Sequence, residues 1–226
     1  SINTDGDTQT IVSANSAAGF SIASYTGTGS VQTVGHGLSA APELIILKKI
    51  SNTQNWNTGS DEIGWTKYFD GPNTNGAAGT ETTVWNDTAP TSTVVTLGGS
   101  NNTNANGENY IMYAWQSIAG FSKMGSYTGN GSTQSITGLG FQPSWLLIKN
   151  MDSARGWQMF DSSRGANQLL FANSNSAESS ESAGTSLSSF DSDGFTVGSG
   201  NGVNESGDTL LYMAFKNNRG FASTGT

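Results

Sequence analysis

The chain of 226 residues contains no cysteine, one histidine and four prolines. Without cysteine, neither disulfides nor thiolate metal sites can hold it together, which excludes the small extracellular scaffolds that depend on such staples. With His36 as the single histidine and no cysteine, a repeated His-ligated metal site or a repeated Ser-His-Asp triad cannot be assembled. Charge is also scarce. Asp, Glu, Lys and Arg make up 12% of the residues, about half of the usual share of ~25%. Nine Lys plus Arg against a net charge of -8 leave no basic footprint for a phosphate backbone, so nucleic acid is excluded as the expected ligand. Apolar runs such as Leu44-Ile45-Ile46-Leu47 are short, far below the ~20 residues that span a bilayer as a helix, so no membrane partner is expected.

What is present is repetition. Gly-Phe occurs at Gly19-Phe20, Gly120-Phe121 and Gly220-Phe221, 101 and 100 residues apart. Ser24-Tyr25-Thr26-Gly27-Thr28-Gly29-Ser30 is answered by Ser126-Tyr127-Thr128-Gly129-Asn130-Gly131-Ser132. Pro42 to Lys48 is answered by Pro143 to Lys149, Trp56 by Trp157, Gly64 by Gly165, and Asn104-Ala105-Asn106-Gly107 by Asn204-Glu205-Ser206-Gly207. Glycines, turn asparagines and apolar strand positions persist, which is the mark of a tandem duplication in which the repeat carries the scaffold. The expected divisions are residues 1–18 as a strand resembling the tail of a preceding copy, 19–119 and 120–219 as two repeats, and 220–226 as the start of a further repeat or a C-terminal tail. Because Ser1 replaces an initiator Met and the pattern is cut at both ends, the chain reads as a processed or excised piece of a longer array.

Apolar segments of four to eight residues alternate with clusters of Gly, Asn, Ser and Thr, without a sustained helical period. The pattern predicts an all-β fold of two tandem β-sandwich modules. Strands are expected near 20–25, 31–35, 43–50, 53–58, 66–70, 82–85, 93–97 and 109–116, with counterparts 100 to 102 residues later, and one helical turn near Ala177 to Ala183. The runs at Leu44, at Trp145 and in the closing segments are apolar on both faces, which predicts central strands. Residues 1–18 should pair with the first sandwich or with a neighbouring chain, because an open edge invites aggregation.

Carboxylates are the remaining source of catalytic chemistry, since a glycosidase needs only a pair. The pool is Asp61, Glu62, Asp70, Glu81 and Asp87 in the first copy, and Asp152, Asp161, Glu178, Glu181, Asp191 and Asp193 in the second. They mostly fail to correspond between copies and sit in turn-like sequence. Asp191-Ser192-Asp193-Gly194 resembles half of a calcium loop but lacks the later acidic ligand, so it reads as a turn. His36 stands where the second copy carries Gly138, again a turn position.

Trp56 and Trp157 recur and are expected in the core, with Trp115 answering to Phe215. Trp65 and Trp85 have no aromatic counterpart: Ala166 answers to Trp65, and Trp85-Asn86-Asp87 lies in turn-like sequence. A loop tryptophan beside an amide and a carboxylate is the composition of a sugar platform, with Trp65, Trp85, Asn86 and Asp87 as the candidate ligand-binding residues. Tryptophans covering the end of a sandwich, or making a subunit contact, are the alternative.

The segments Gly-Phe-Ser, Ser-Tyr-Thr-Gly-Asn-Gly-Ser, Gly-Phe-Gln-Pro-Ser-Trp-Leu-Leu-Ile-Lys and Asn-Glu-Ser-Gly-Asp-Thr-Leu-Leu-Tyr-Met-Ala-Phe resemble a tandem module of large bacteriophage structural proteins. The resemblance covers Gly19 to Trp115 and, more closely, Gly120 to Phe215. It implies concanavalin-like or jelly-roll sandwiches in tail fibres, adhesins or other appendages on the virion surface, and no catalytic motif comes with it; from the residue types, no metal or cofactor is expected either. Host-surface glycans or receptors, other virion proteins and further copies of the chain are the implied partners. A purely structural spacer or capsid decoration is the alternative role, and a glycan depolymerase a further one.

Overall fold

The computed structural model describes residues 1–182 and 184–217. Short strands separated by Gly- and Asn-bearing turns make up the fold. The first half contains β1 (Ile2–Asn3), β2 (Thr10–Asn15), β3 (Phe20–Thr26), β4 (Gln32–Gly35), β5 (Leu44–Lys49), β6 (Asn57–Ser60), β7 (Lys67–Asp70), β8 (Gly79–Thr80), α1 (Thr82–Trp85), β9 (Val94–Leu97) and β10 (Asn109–Trp115). The second contains β11 (Ser122–Thr128), β12 (Gln134–Thr137), β13 (Pro143–Asn150), β14 (Gln158–Asp161), β15 (Gly165–Phe171), β16 (Ser179–Ser180), β17 (Leu187–Asp191), β18 (Gly194–Val197), α2 (Asn201–Asn204) and β19 (Thr209–Lys216).

The large sheet of the first half runs β1-β2-β3-β10-β5-β6-β7-β8, and that of the second runs β11-β19-β13-β14-β15-β16. From β3 onward the first order matches the second strand for strand. A small sheet covers each: β4-β9 in the first half and β12-β18-β17 in the second. Alternation of side chains along each strand then gives the large sheets an inner and an outer face. Ala23, Tyr25, Ile45, Leu47, Tyr110, Met112 and Ala114 point inward to meet Val34, Val95 and Leu97 of the small sheet. In the second half Tyr127, Leu146, Ile148, Leu210 and Tyr212 meet Ile136, Leu187, Phe195 and Val197. The doubly apolar segments are central: β5 lies between β10 and β6, and β13 between β19 and β14.

Residues 10–15 join the large sheet of the first half as β2, pairing antiparallel with β3 from Ile11 opposite Ser24 to Asn15 opposite Phe20. Three expectations are corrected. Residues 82–85 form a helical turn rather than a strand, because Val84 and Trp85 must enter the core together while Asn86 and Asp87 reverse the chain at φ of 53° and 50°; tertiary packing overrides the β preference of Thr, Val and Trp. The segment after Ala177 holds the short strand β16 instead of a helix, and Ala183 lies outside the described residues, as does Gly220-Phe221 with residues 218–226. Trp56 is only half-buried, unlike Trp157.

The outer faces of the two large sheets meet. Leu44, Ile46, Ile63, Phe69, Ala78 and Trp115 of the first half pack with Met124, Trp145, Leu147, Met151, Trp157, Met159, Leu211, Met213 and Phe215 of the second. This third core lies between the two large sheets and joins them.

Candidate functional site

Trp85 is fully buried and Trp65 nearly so, both inside the first core. Their rings meet edge to face, with centroids 5.4 Å apart at 88°. A Cβ on Gly59 would lie 2.7 Å from both rings, so the absence of a side chain there is what admits them. Trp65 Nε1 donates to Asp61 Oδ1 at 2.7 Å, and Trp85 Nε1 has no protein partner among the described residues. Neither ring leaves a face on which a sugar could stack. Of the four residues singled out as a platform, only Asn86 and Asp87 are exposed. The misreading has a local cause: the polar turn after Trp85 is at the surface, but α1 turns the indole inward.

The residues kept in both halves form buried brackets. Asn104 Oδ1 accepts from Thr28 N at 2.8 Å and from Gln32 Nε2 at 2.7 Å, while its Nδ2 donates to Ser30 O at 2.6 Å and Gly98 O at 2.7 Å. Asn204 repeats the arrangement with Asn130 N at 2.8 Å, Gly198 O at 2.9 Å and Ser132 O. Tyr25 Oη donates to Thr103 O at 2.6 Å, and Tyr127 Oη to Val203 O at 2.5 Å; burial pushes both phenols well above their ordinary pKa. Gly27 and Gly129 permit the turns to close on this bracket, since a Cβ would stand 2.3 Å from Ala105 O in one and 2.1 Å from Glu205 O in the other.

His36 is buried. Its Nδ1 accepts from Leu38 N at 3.1 Å, so the neutral ring carries its proton on Nε2 and donates to Thr91 O at 3.2 Å. Burial pulls its pKa below the usual histidine value, while the Thr91 carbonyl and the Asp5 carboxylate act the other way. The residue that answers to Gly138 (φ 84°) is Gly37 (φ 72°), and His36 is an added residue. In the second half Asp193 takes over the tie, accepting from Gly138 N at 3.0 Å and Gly140 N at 2.7 Å. Asp191 accepts from Ser189 Oγ and Thr196 Oγ1, both at 2.7 Å. The Asp191 to Gly194 segment is thus the turn of the β17-β18 hairpin, and no group of three or more metal-ligating side chains occurs among the described residues.

A cleft of about 480 Å³ lies where the halves join, lined by Glu43, Asp61, Glu62, Ser117 and Lys123 among others. Its carboxylates are engaged: Glu43 accepts from Ser117 Oγ, Glu62 from Ser126 Oγ, and Asp61 from the Trp65 indole.

The most distinctive chemistry at the junction belongs to Lys149. This buried ammonium has no carboxylate partner among the described residues. Its Nζ donates to Asn150 O at 2.8 Å, Arg155 O at 2.9 Å and, across the junction, Asn75 O at 3.3 Å. It also lies 5.4 Å from the Phe69 ring centroid and 6.0 Å from that of Trp157. Burial lowers its pKa to about 8. Trp157 Nε1 donates to Thr74 O at 3.0 Å, again across the junction. Lys48 makes the first two of these bonds in the first half, to Lys49 O at 2.9 Å and Gln54 O at 2.7 Å. Beside it, Trp56, Tyr113, Phe20 and Trp115 form a half-buried aromatic row with centroid spacings of 5.0 to 6.5 Å. This row was not singled out, because its members alternate with core residues and read as interior.

No curated protein and no solved structure matches the chain. A family model described as a domain of unknown function, DUF7483, matches residues 1–219. The chain belongs to that family.

Proposed function

We propose that this chain is a non-enzymatic building block of a bacteriophage virion surface, of tail-fibre or adhesin type. On this reading it consists of two tandem jelly-roll-like sandwiches that arose by internal duplication. The observation that carries it is the buried bracket: the polar side chains retained in both halves, Asn104 with Asn204 and Tyr25 with Tyr127, close turns onto sheets. What is repeated is therefore framework chemistry. The phage assignment itself rests on the sequence resemblance, with the exterior of the particle as the location and other virion proteins as partners.

A second reading, attachment to a host-surface glycan or receptor, is favoured by one observation, the half-buried row Phe20, Tyr113 and Trp56. It moves the sugar platform from Trp65 and Trp85 to the outer sheet face. Antibody labelling of purified particles together with a glycan array separates the readings. The building-block reading expects label on the particle exterior and an empty array. Absence of the chain from particles, or release of sugar from a polysaccharide, contradicts it. An array signal that Trp56→Ala abolishes selects attachment instead.

A further inference from the structure

The two outer sheet faces are equivalent in register but not in burial. Across the first half, Ile2 stands opposite Ile11, Ile11 opposite Ser24, Ser24 opposite Ile111, and Ile111 opposite Lys48, so all five side chains share the outer face. The next row along the same face is Ile22, Tyr113 and Ile46. Ile2 is 65% exposed, Ile11 68% and Ile50 58%. In the second half, Met151 makes the backbone bond to Thr209 that Ile50 makes to Asn109, yet Met151 is 5% exposed because the first half covers it. Leu211 and Met213, which take the places of Ile111 and Tyr113, are buried in the same way.

The polar groups tell the same story. Lys149 uses three donors, one on a carbonyl from the other sandwich; Lys48 uses two, and its third has no protein partner among the described residues. The indole N–H of Trp157 is likewise taken across the junction. Trp56 is half-buried, with its ring tilted 30° to that of Tyr113 and the centroids 6.2 Å apart. A contiguous exposed apolar surface on a sheet marks an interaction site. This one is continuous with the junction, since Trp115 belongs to the inter-sandwich core and stacks on Tyr113 at 6.4 Å.

We infer that the uncovered part of this face, Ile2, Ile11, Ile22, Ile50, Ile111 and Tyr113, docks a second copy of the chain, sheet face against sheet face. The intramolecular junction is the precedent for Ile22, Ile50, Ile111 and Tyr113, whose places in the second half are taken by the covered Met124, Met151, Leu211 and Met213, while β1 and β2 extend the same face with Ile2 and Ile11. The junction itself cannot simply be repeated there, because Leu44, Ile46 and Trp115 are already covered. The second copy must seat towards β1, β2 and β3. The inference deepens the building-block reading but does not stand or fall with it. A monomeric chain found on particles ends the inference alone, whereas a self-associating chain absent from particles ends the reading alone.

Sedimentation of the 226-residue chain over a concentration series tests it. The expected result is reversible association that Ile11→Lys with Ile50→Lys weakens roughly tenfold or more. Both side chains are exposed, so the variant should keep the wild-type circular dichroism and melting temperature; Ile2→Lys serves as a second variant if it does not. A chain that stays monomeric to about 1 mM, where a contact worth about 4 kcal/mol is half formed, overturns the inference. So does association that all three substitutions leave unchanged. Protection of Trp56 fluorescence by an added oligosaccharide in a monomeric chain also overturns it, in favour of a glycan ligand.

Discussion

Asn104 and Asn204 each satisfy several backbone groups from turns far apart in sequence, at full burial. A buried donor or acceptor left without a partner costs about 1 to 3 kcal/mol, and removing either amide strands more than one. Asn204→Ala is therefore expected to destabilise the chain by about 3 kcal/mol, read as a shift in urea midpoint at unchanged slope. Asn204→Asp should fare no better, since it turns amide donors into acceptors aimed at Gly198 O and Ser132 O. A midpoint within error of wild type for both substitutions would remove the bracket from the account. These asparagines were legible in the sequence as turn residues, because Asn before a closing strand recurs in both copies. Their burial was not, since composition does not reveal that one side chain spans turns some 70 residues away. The same limit explains Trp65 and Trp85: a tryptophan in a polar segment reads as exposed until α1 and Gly59 place it in the core.

At the scale of elements, most strands of the first half were readable from alternation and turn punctuation, and β5, β10, β13 and β19 were readable as central. Readability failed where packing decides. Thr82 to Trp85 has strand-forming residues yet closes a helical turn, and Trp56 and Trp157 are the same residue in the same register with different burial. Only the meeting of two outer faces distinguishes that pair. Strand β13 brings Lys149 into the meeting place, and its pKa of about 8 carries a definite sign. The unfolded chain, with a lysine pKa of ~10.4, binds more protons than the folded chain between those two values. Stability therefore rises with pH from about 8 towards 10 through this group. Below about 8 the lysine is charged in both states and the contribution is constant. Buried tyrosines oppose the trend only near and above pH 10, where unfolded phenols ionise. The expected signature is a rise in denaturation midpoint between pH 8 and 9.5 that Lys149→Met flattens and Lys48→Met leaves in place. A wild-type midpoint flat across that interval would place Lys149 in a wetter environment than the one described.

In the whole molecule the outer faces of the two large sheets join the halves, and the inferred contact between copies uses the uncovered remainder of the first. A firm junction between the halves is what a building block needs in order to transmit its shape. The most direct measurement is calorimetric unfolding of the wild type beside Trp157→Ala and Trp56→Ala. Trp157 fills the junction, donates to Thr74 O and meets Phe69 at 5.2 Å. Its truncation should cost about 3 to 5 kcal/mol and split a single cooperative transition into two, whereas Trp56→Ala should keep one transition and lower it far less. Two independent transitions in the wild type, or equal effects of the two substitutions, would contradict the claim that the two halves are joined through the outer faces of their large sheets.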